Sequence, residues 1–110
     1  MMVQQSRGLI YKICRRADWE AAAIAGVYRG SELDRRDGFI HFSTAAQFDE
    51  TLRRHFAGQR DLVRIAVDPA ALGPALVFEV SRGGELFPHL YGELSVSLAI
   101  EVRAIPSVTE

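Results

Sequence analysis

The hydrophobic positions of the chain fall into short runs whose period switches between two and about 3.6, the mark of strands interspersed with helices. Leu9 to Cys14 is apolar, rich in strand formers and bounded by Gly8 and Arg15-Arg16, so it reads as a first strand. Ala17 to Ala25 has an alanine-rich helical composition, with Asp18 and Glu20 in its first turn and Gly26 as its stop. Trp19, Ala22, Ala23 and Gly26 share one face of that helix, which makes Trp19 a core anchor. Between Val27 and Asp37 the periodicity fails, and the segment reads as a surface loop long enough to act as a lid. Tyr28, Arg29 and Ser31 could reach a ligand from it.

Gly38 to Thr44 reads as a short strand with Phe39, His41 and Ser43 on one face and Ile40, Phe42 and Thr44 on the other. Thr44 followed three residues later by Gln47 has the spacing of a capping box, so a helix begins where the strand ends. That helix runs from Ala45 to about Phe56, with Ala45, Phe48, Leu52 and Phe56 as its apolar stripe and Gly58 as its end. His55 lies in the last turn, where an imidazolium suits the dipole.

Leu62 to Val67 is the next strand, and Asp68-Pro69 to Gly73 is a single capped turn. Leu76 to Val80 alternates again, and Glu79 interrupts it, so the face of Glu79 must meet solvent or line a polar cleft. Ser81 to Glu85 is a turn. Leu86 to Gly92 has neither helical nor simple strand period and reads as an irregular segment packed on the fold with its polar groups aimed at something. Ser95 to Ile105 alternates cleanly, with Val96, Leu98, Ile100 and Val102 opposite Ser97, Glu101 and Arg103, and Pro106 ends it; the residues beyond are expected to be disordered. Five or six strands and two helices, both in the N-terminal half, give an α+β class: helices on a strongly bent, mostly antiparallel sheet, one domain with its core at about residues 9 to 105.

Composition narrows the picture. The 110 residues are 48% hydrophobic and 25% charged, an ordinary globular balance. Thirteen basic against 14 acidic side chains leave a net charge of -1, so no global field draws the chain to nucleic acid or an anionic membrane. No apolar run approaches the roughly 20 residues of a membrane span. Met1 to Gly8 lacks the apolar core of a signal peptide. The lone cysteine, Cys14, reads as a small buried hydrophobe. A cytoplasmic monomer or weak dimer with a small-molecule or nucleotide ligand is the expectation.

The three histidines, His41, His55 and His89, show no metal-ligand spacing, and no metal is expected. Neither a nucleophile elbow nor a P-loop or dinucleotide fingerprint is present. A cluster remains: His41, Ser43 and Thr44 from one segment and His89 and Tyr91 from another, with Glu79, Arg82 or Glu85 near by. Histidine and tyrosine can hydrogen-bond a ribose and stack on a flat ring, and a carboxylate can stabilise positive charge at a sugar carbon. The alternative is that His41 and His89 are buried and satisfied by backbone groups.

The order YKI, DW before an alanine-rich helix, DGFIHFSTAAQ, HFAG with DLVRIAVDP, and ELFPHLYGEL resembles the domain-of-unknown-function family 952 of small bacterial proteins, over roughly Ile10 to Val102. That family is distantly similar to the ADP-ribosyltransferase fold, a split, bent sheet that binds NAD and whose members include the RNA 2'-phosphotransferases. The resemblance implies NAD or a related nucleotide as substrate and action at its ribose. His41 with Ser43-Thr44 matches the family's IH-x-ST motif, and Pro88, His89, Tyr91 and Gly92 match PH-x-YG. Lys12 stands where relatives often carry a histidine and where the transferases hold the NAD ribose. On this reading His41, His89 and Glu79 are catalytic, and Ser43, Thr44, Tyr91, Arg82 and Tyr11 bind substrate. The alternatives are a non-catalytic module for a nucleotide or small metabolite, and a protein that works through a surface partner.

Overall fold

The computed structural model describes residues 8–106, so the expectations for the segment before Gly8 and for the residues after Pro106 fall outside the described residues. The first strand, β1 (Ile10–Arg15), runs straight into α1 (Arg16–Ala25), which Gly26 closes in the left-handed conformation with its N–H on the Ala22 carbonyl. Trp19 and Ala22 turn inward, and the Trp19 ring meets Tyr28 at 5.8 Å.

The expected surface loop from Val27 to Asp37 is instead ordered structure: a two-residue strand β2 (Val27–Tyr28) and a short helix α2 (Glu32–Asp37). Ser31 and Asp34 form a reciprocal capping box, and Gly38 ends the helix. The apolar period is missing because the residue α2 sends inward is a charge, Asp34. Among the described residues the α-helices are therefore three rather than two.

Gly38 to Thr44 is not one strand but two, β3 (Ile40–His41) and β4 (Ser43–Thr44), which belong to different sheets. Phe42 is the corner: its N–H still donates to the Pro88 carbonyl at 3.0 Å while the next residue pairs with β1. The helix α3 (Ala45–Phe56) occupies the expected residues, and the Thr44–Gln47 capping box closes with bonds of 3.1 and 3.3 Å. Phe48, Leu52 and Phe56 are half-buried beneath it, whereas Ala45 is exposed.

β5 (Leu62–Val67) is buried on both faces apart from Arg64, which explains its nearly unbroken apolar run. Asp68 caps a 3-10 turn, Pro69–Ala75, by accepting from the Ala70 N–H. β6 (Leu76–Val80) then pairs with β7 (Leu86–Leu90), the segment whose sequence shows no strand period. Phe87, Pro88, His89 and Leu90 are all buried, so both faces of β7 are covered and alternation has no reason to appear.

The last expected strand is broken. β8 (Leu94–Ser95) pairs with β2, Val96–Leu98 make a 3-10 turn, and β9 (Ala99–Ala104) starts only after it. A register shift at Ala66/Val67 accompanies the pairing of β9 with β5. Ile100 and Val102 are 59% and 45% exposed, while Glu101 turns toward Arg64 at 3.1 Å.

Among the described residues every ladder is antiparallel: a four-stranded sheet β4-β1-β5-β9, a three-stranded sheet β3-β7-β6, and the pair β2-β8. The class is α+β, with the strands divided among three sheets. Ile10, Val63, Ile65, Val67, Ile40, Leu90 and Leu94 fill the space between the two larger sheets, each contributing roughly 1.5–3 kcal/mol by burial. Among the described residues no helix is long and apolar enough to cross a membrane.

Candidate functional site

A cleft of about 1010 Å³ is lined by residues of β1, α2, the β3–β4 corner, α3, the turn after β6, and β7. The way α2 is capped sets one wall. Gly30, at φ 99°, precedes the cap, and a Cβ there would lie 2.7 Å from the Asp34 Cβ, so glycine alone lets Asp34 turn inward. Asp34 Oδ2 accepts from the Ser31 N–H at 2.8 Å and from Lys12 Nζ at 2.6 Å. Its Oδ1 accepts from the His41 N–H at 3.1 Å and from His41 Nδ1 at 2.6 Å. Four donors thus converge on a carboxylate whose side chain is 2% exposed. Burial pushes the Asp34 carboxyl up, but the His41 hydrogen bond, the Lys12 charge and hydrogen bond, and the Ser31 N–H together hold it well below the usual carboxylate range.

His41 carries a second carboxylate, Asp37 Oδ2, 3.0 Å from Nε2. A ring with an acid at each nitrogen is fully satisfied when both nitrogens carry hydrogen. Lys12, Asp34, His41 and Asp37 therefore form a continuous hydrogen-bonded chain along one wall of the cleft.

The other imidazole is held differently. His89 is the register partner of His41 across β3 and β7, which puts the ring centroids 5.6 Å apart. Its Nδ1 lies 2.6 Å from Glu79 Oε1, the oxygen that also accepts from the Tyr91 hydroxyl at 2.8 Å. These hydrogen bonds, from His89 and then Tyr91, lower the Glu79 carboxyl, and Glu79 in turn raises the Tyr91 hydroxyl. Phe39 stacks on the His89 ring at 4.0 Å with 21° between the planes. Orientation and tautomer are thereby set by groups outside the cleft lining, and Nε2 is the ring nitrogen left for whatever enters.

The remaining sequence candidates divide. Tyr11, Ser43 and Arg82 line the cleft with His41 and His89, whereas Thr44, Glu79 and Tyr91 do not. Ser43 donates to Thr51 Oγ1 at 3.0 Å, and Thr44 spends its hydroxyl on the α3 cap. Tyr91 is half-exposed, packed on Phe39 at 5.2 Å with its hydroxyl on Glu79. Tyr11 meets Phe48 edge-on, with the Arg64 guanidinium 4.9 Å above its ring. Glu85 accepts from Gln47. Tyr28 is buried, Arg29 pairs with Glu93 at the surface, and Ser31 caps α2.

His55 is placed otherwise than its helix-terminal position suggests. Its Nε2 lies 2.9 Å from Arg82 Nη1, and burial, then Arg82, Arg54 and His41, push its pKa down. A guanidinium only donates, so the imidazole accepts at Nε2 and is neutral there.

The sequence pattern does not mark Asp34, Asp37, Thr51 or Phe39 as site residues, and Lys12 stands out only as a departure from relatives. The S-x-x-D spacing of Ser31 and Asp34 was the available sign, since a capping acid at that position marks a helix start. Among the described residues no group of three or more His, Cys, Asp or Glu side chains is arranged to hold a metal ion.

Cys14 also borders the cleft, yet it is buried, and burial pushes its thiol from 9.0 up to about 11 despite the opposing pull of Lys12. Because the folded value is the higher one, the stability tied to this thiol is complete below pH 9.0 and is lost as pH rises to about 11. We expect iodoacetamide to leave native Cys14 unmodified at pH 8 and to label it in urea. Equal labelling rates in both conditions would contradict the burial.

The chain is similar to protein CC0527 from Caulobacter crescentus: its X-ray structure shares 47% identity over 89% of this chain and 86% of that one, with a TM-score of 0.87. Its solution NMR structure shares 49% identity over 86% and 81% of the two chains, with a TM-score of 0.77. No functionally curated protein matches. The family described as "Protein of unknown function (DUF952)" matches residues 13–102, and the chain belongs to that family.

Proposed function

We propose that the cleft binds NAD or a related nucleotide and that the chain acts at its ribose, with His89 as the proton acceptor. One observation carries this reading: Glu79 holds His89 Nδ1 at 2.6 Å, which leaves Nε2 as the free ring nitrogen of a cleft-lining histidine whose ring centre is 5.6 Å from that of His41. A base oriented this way by a carboxylate is suited to take a proton from a water or hydroxyl nucleophile. With NAD and water, oxygen bonds to the ribose carbon as the bond to the nicotinamide nitrogen breaks. Nicotinamide leaves with the bonding pair, and the nucleophile's proton passes to Nε2. The ligand class rests on the resemblance of the GFIHFST and FPHLYG segments to relatives of the ADP-ribosyltransferase fold.

Incubation with NAD and chromatographic detection of free nicotinamide tests the reading. His89→Ala is expected to lower the rate by about 10²–10⁴-fold, and Glu79→Gln to lower it less. A second reading, a non-catalytic binding module, is favoured by the internal pairing of His41 at both nitrogens and of Ser43 with Thr51. Calorimetric binding of NAD without nicotinamide release selects it. Neither binding nor release overturns both.

A further inference from the structure

Four cationic side chains line the cleft: Lys12, Arg15, Arg36 and Arg82. Lys12 is paired with Asp34 at 2.6 Å, Arg15 with Asp18 at 3.4 Å, and Arg36 with Asp37 at 3.2 Å. Arg82 has no such partner among the described residues. Its guanidinium lies instead against neutral acceptors: His55 Nε2 at 2.9 Å and Thr51 Oγ1 at 3.4 Å, with its carbon 4.9 Å over the Phe87 ring. The carboxylate of Glu50, on the same helix as His55, is already held by Arg54 at 2.7 Å.

We propose that Arg82, His55 and Thr51 form an anion subsite at one end of the cleft that takes a phosphate group of the ligand. This rests on the nucleotide reading for the ligand's identity, and on the charge balance of the cleft for the subsite itself. The chemistry is matched to a phosphate oxygen. A guanidinium offers two parallel N–H donors in the fork geometry that phosphate prefers. The Thr51 hydroxyl can rotate to donate a third bond, because Ser43 donates to it and leaves its own hydrogen available. His55 accepts from Arg82 through Nε2 and so braces the guanidinium in place. The Arg82 guanidinium has no carboxylate at ion-pair distance among the described residues, so its charge is left for an anion that enters this end of the cleft. Arg82 sits on the 3-10 turn Arg82–Gly84, with Gly83 and Gly84 both at positive φ, so its backbone is fixed by a tight turn. The Phe87 face beneath it removes water from one side of the guanidinium and strengthens its hold on an anion.

Inorganic pyrophosphate is the probe, followed by two-dimensional NMR and calorimetry at pH 6.5 and low salt. Wild type is expected to bind with shifts at Thr51, His55 and Arg82. Arg82→Gln should weaken binding at least about tenfold, Arg82→Lys should retain part of it, and Arg60→Gln, an exposed arginine outside the cleft lining, should leave it unchanged. Thermal unfolding of each variant checks that the fold is intact. The subsite is overturned if pyrophosphate fails to bind at millimolar concentration, or if Arg82→Gln and Arg60→Gln weaken it equally. The two readings separate with NAD. NAD binding that ignores Arg82→Gln keeps the nucleotide reading and removes the subsite. Arg82-dependent pyrophosphate binding with no affinity for NAD keeps the subsite and removes the nucleotide.

Discussion

Asp34→Ala is expected to cost about 3–5 kcal/mol, a large share of the roughly 5–15 kcal/mol that holds a domain of this size together. The substitution removes the acceptor of four hydrogen bonds and leaves the Lys12 ammonium, 5% exposed, without a counter-charge. The cost is mainly that orphaned cation rather than the worth of the pair. Lys12→Met should therefore cost less, because Asp34 keeps the Ser31 N–H and both His41 donors. The double variant Lys12→Met/Asp34→Leu should regain part of what Asp34→Ala loses. Urea unfolding followed by far-UV circular dichroism gives the numbers. A loss under about 1 kcal/mol for Asp34→Ala would show that the buried Lys12–Asp34 pair adds little to stability. The pH dependence has a fixed sign. The folded carboxyl lies below its ordinary 3.8, so its contribution is complete above that value and is lost as the pH falls beneath it.

Phe42→Ala is the second large effect, about 3–5 kcal/mol. Phe42 is 3% exposed and occupies the one position where the chain leaves β3 for β4. Its backbone bond to Pro88 survives the substitution, but the ring that fills the corner between the two sheets does not. The cavity falls between His41 and Ser43, so the loss should reach the site: hydrogen exchange at the His41 and Ser43 amides should quicken more than at β5. Phe42→Leu, which refills most of the volume, should cost less than about 1.5 kcal/mol. Equal protection of β3 and β5 amides in Phe42→Ala would deny the corner its role.

Legibility from sequence followed local chemistry. The α3 helix and its start were readable because Thr44 and Gln47 are a local pair whose geometry needs no distant partner. β1, β5 and β6 were readable from apolar runs and alternation. β7 was not, because a strand covered on both faces loses its period and Pro88 argues against a strand. α2 was not, because its inward residue is an acid satisfied by Lys12 and His41 from twenty-two and seven residues away. The same distance hid the site. The pairing of His41 with His89 could be suspected from two unusual segments, but Asp34 and Glu79, which decide what each ring nitrogen can do, become visible only when α2 and β6 are folded against them.

The register that sets His41 opposite His89 has a consequence for biosynthesis. β3 has only two paired residues, and their ladder partner is β7, which lies in the final quarter of the chain. As the chain leaves the ribosome from its N-terminus, His41 and the acids that clamp it emerge while the strand that completes the wall is still unsynthesised. The cleft therefore closes late, and translation that stops short of Leu86 leaves a polypeptide without the strand that carries His89 and so without that wall of the cleft.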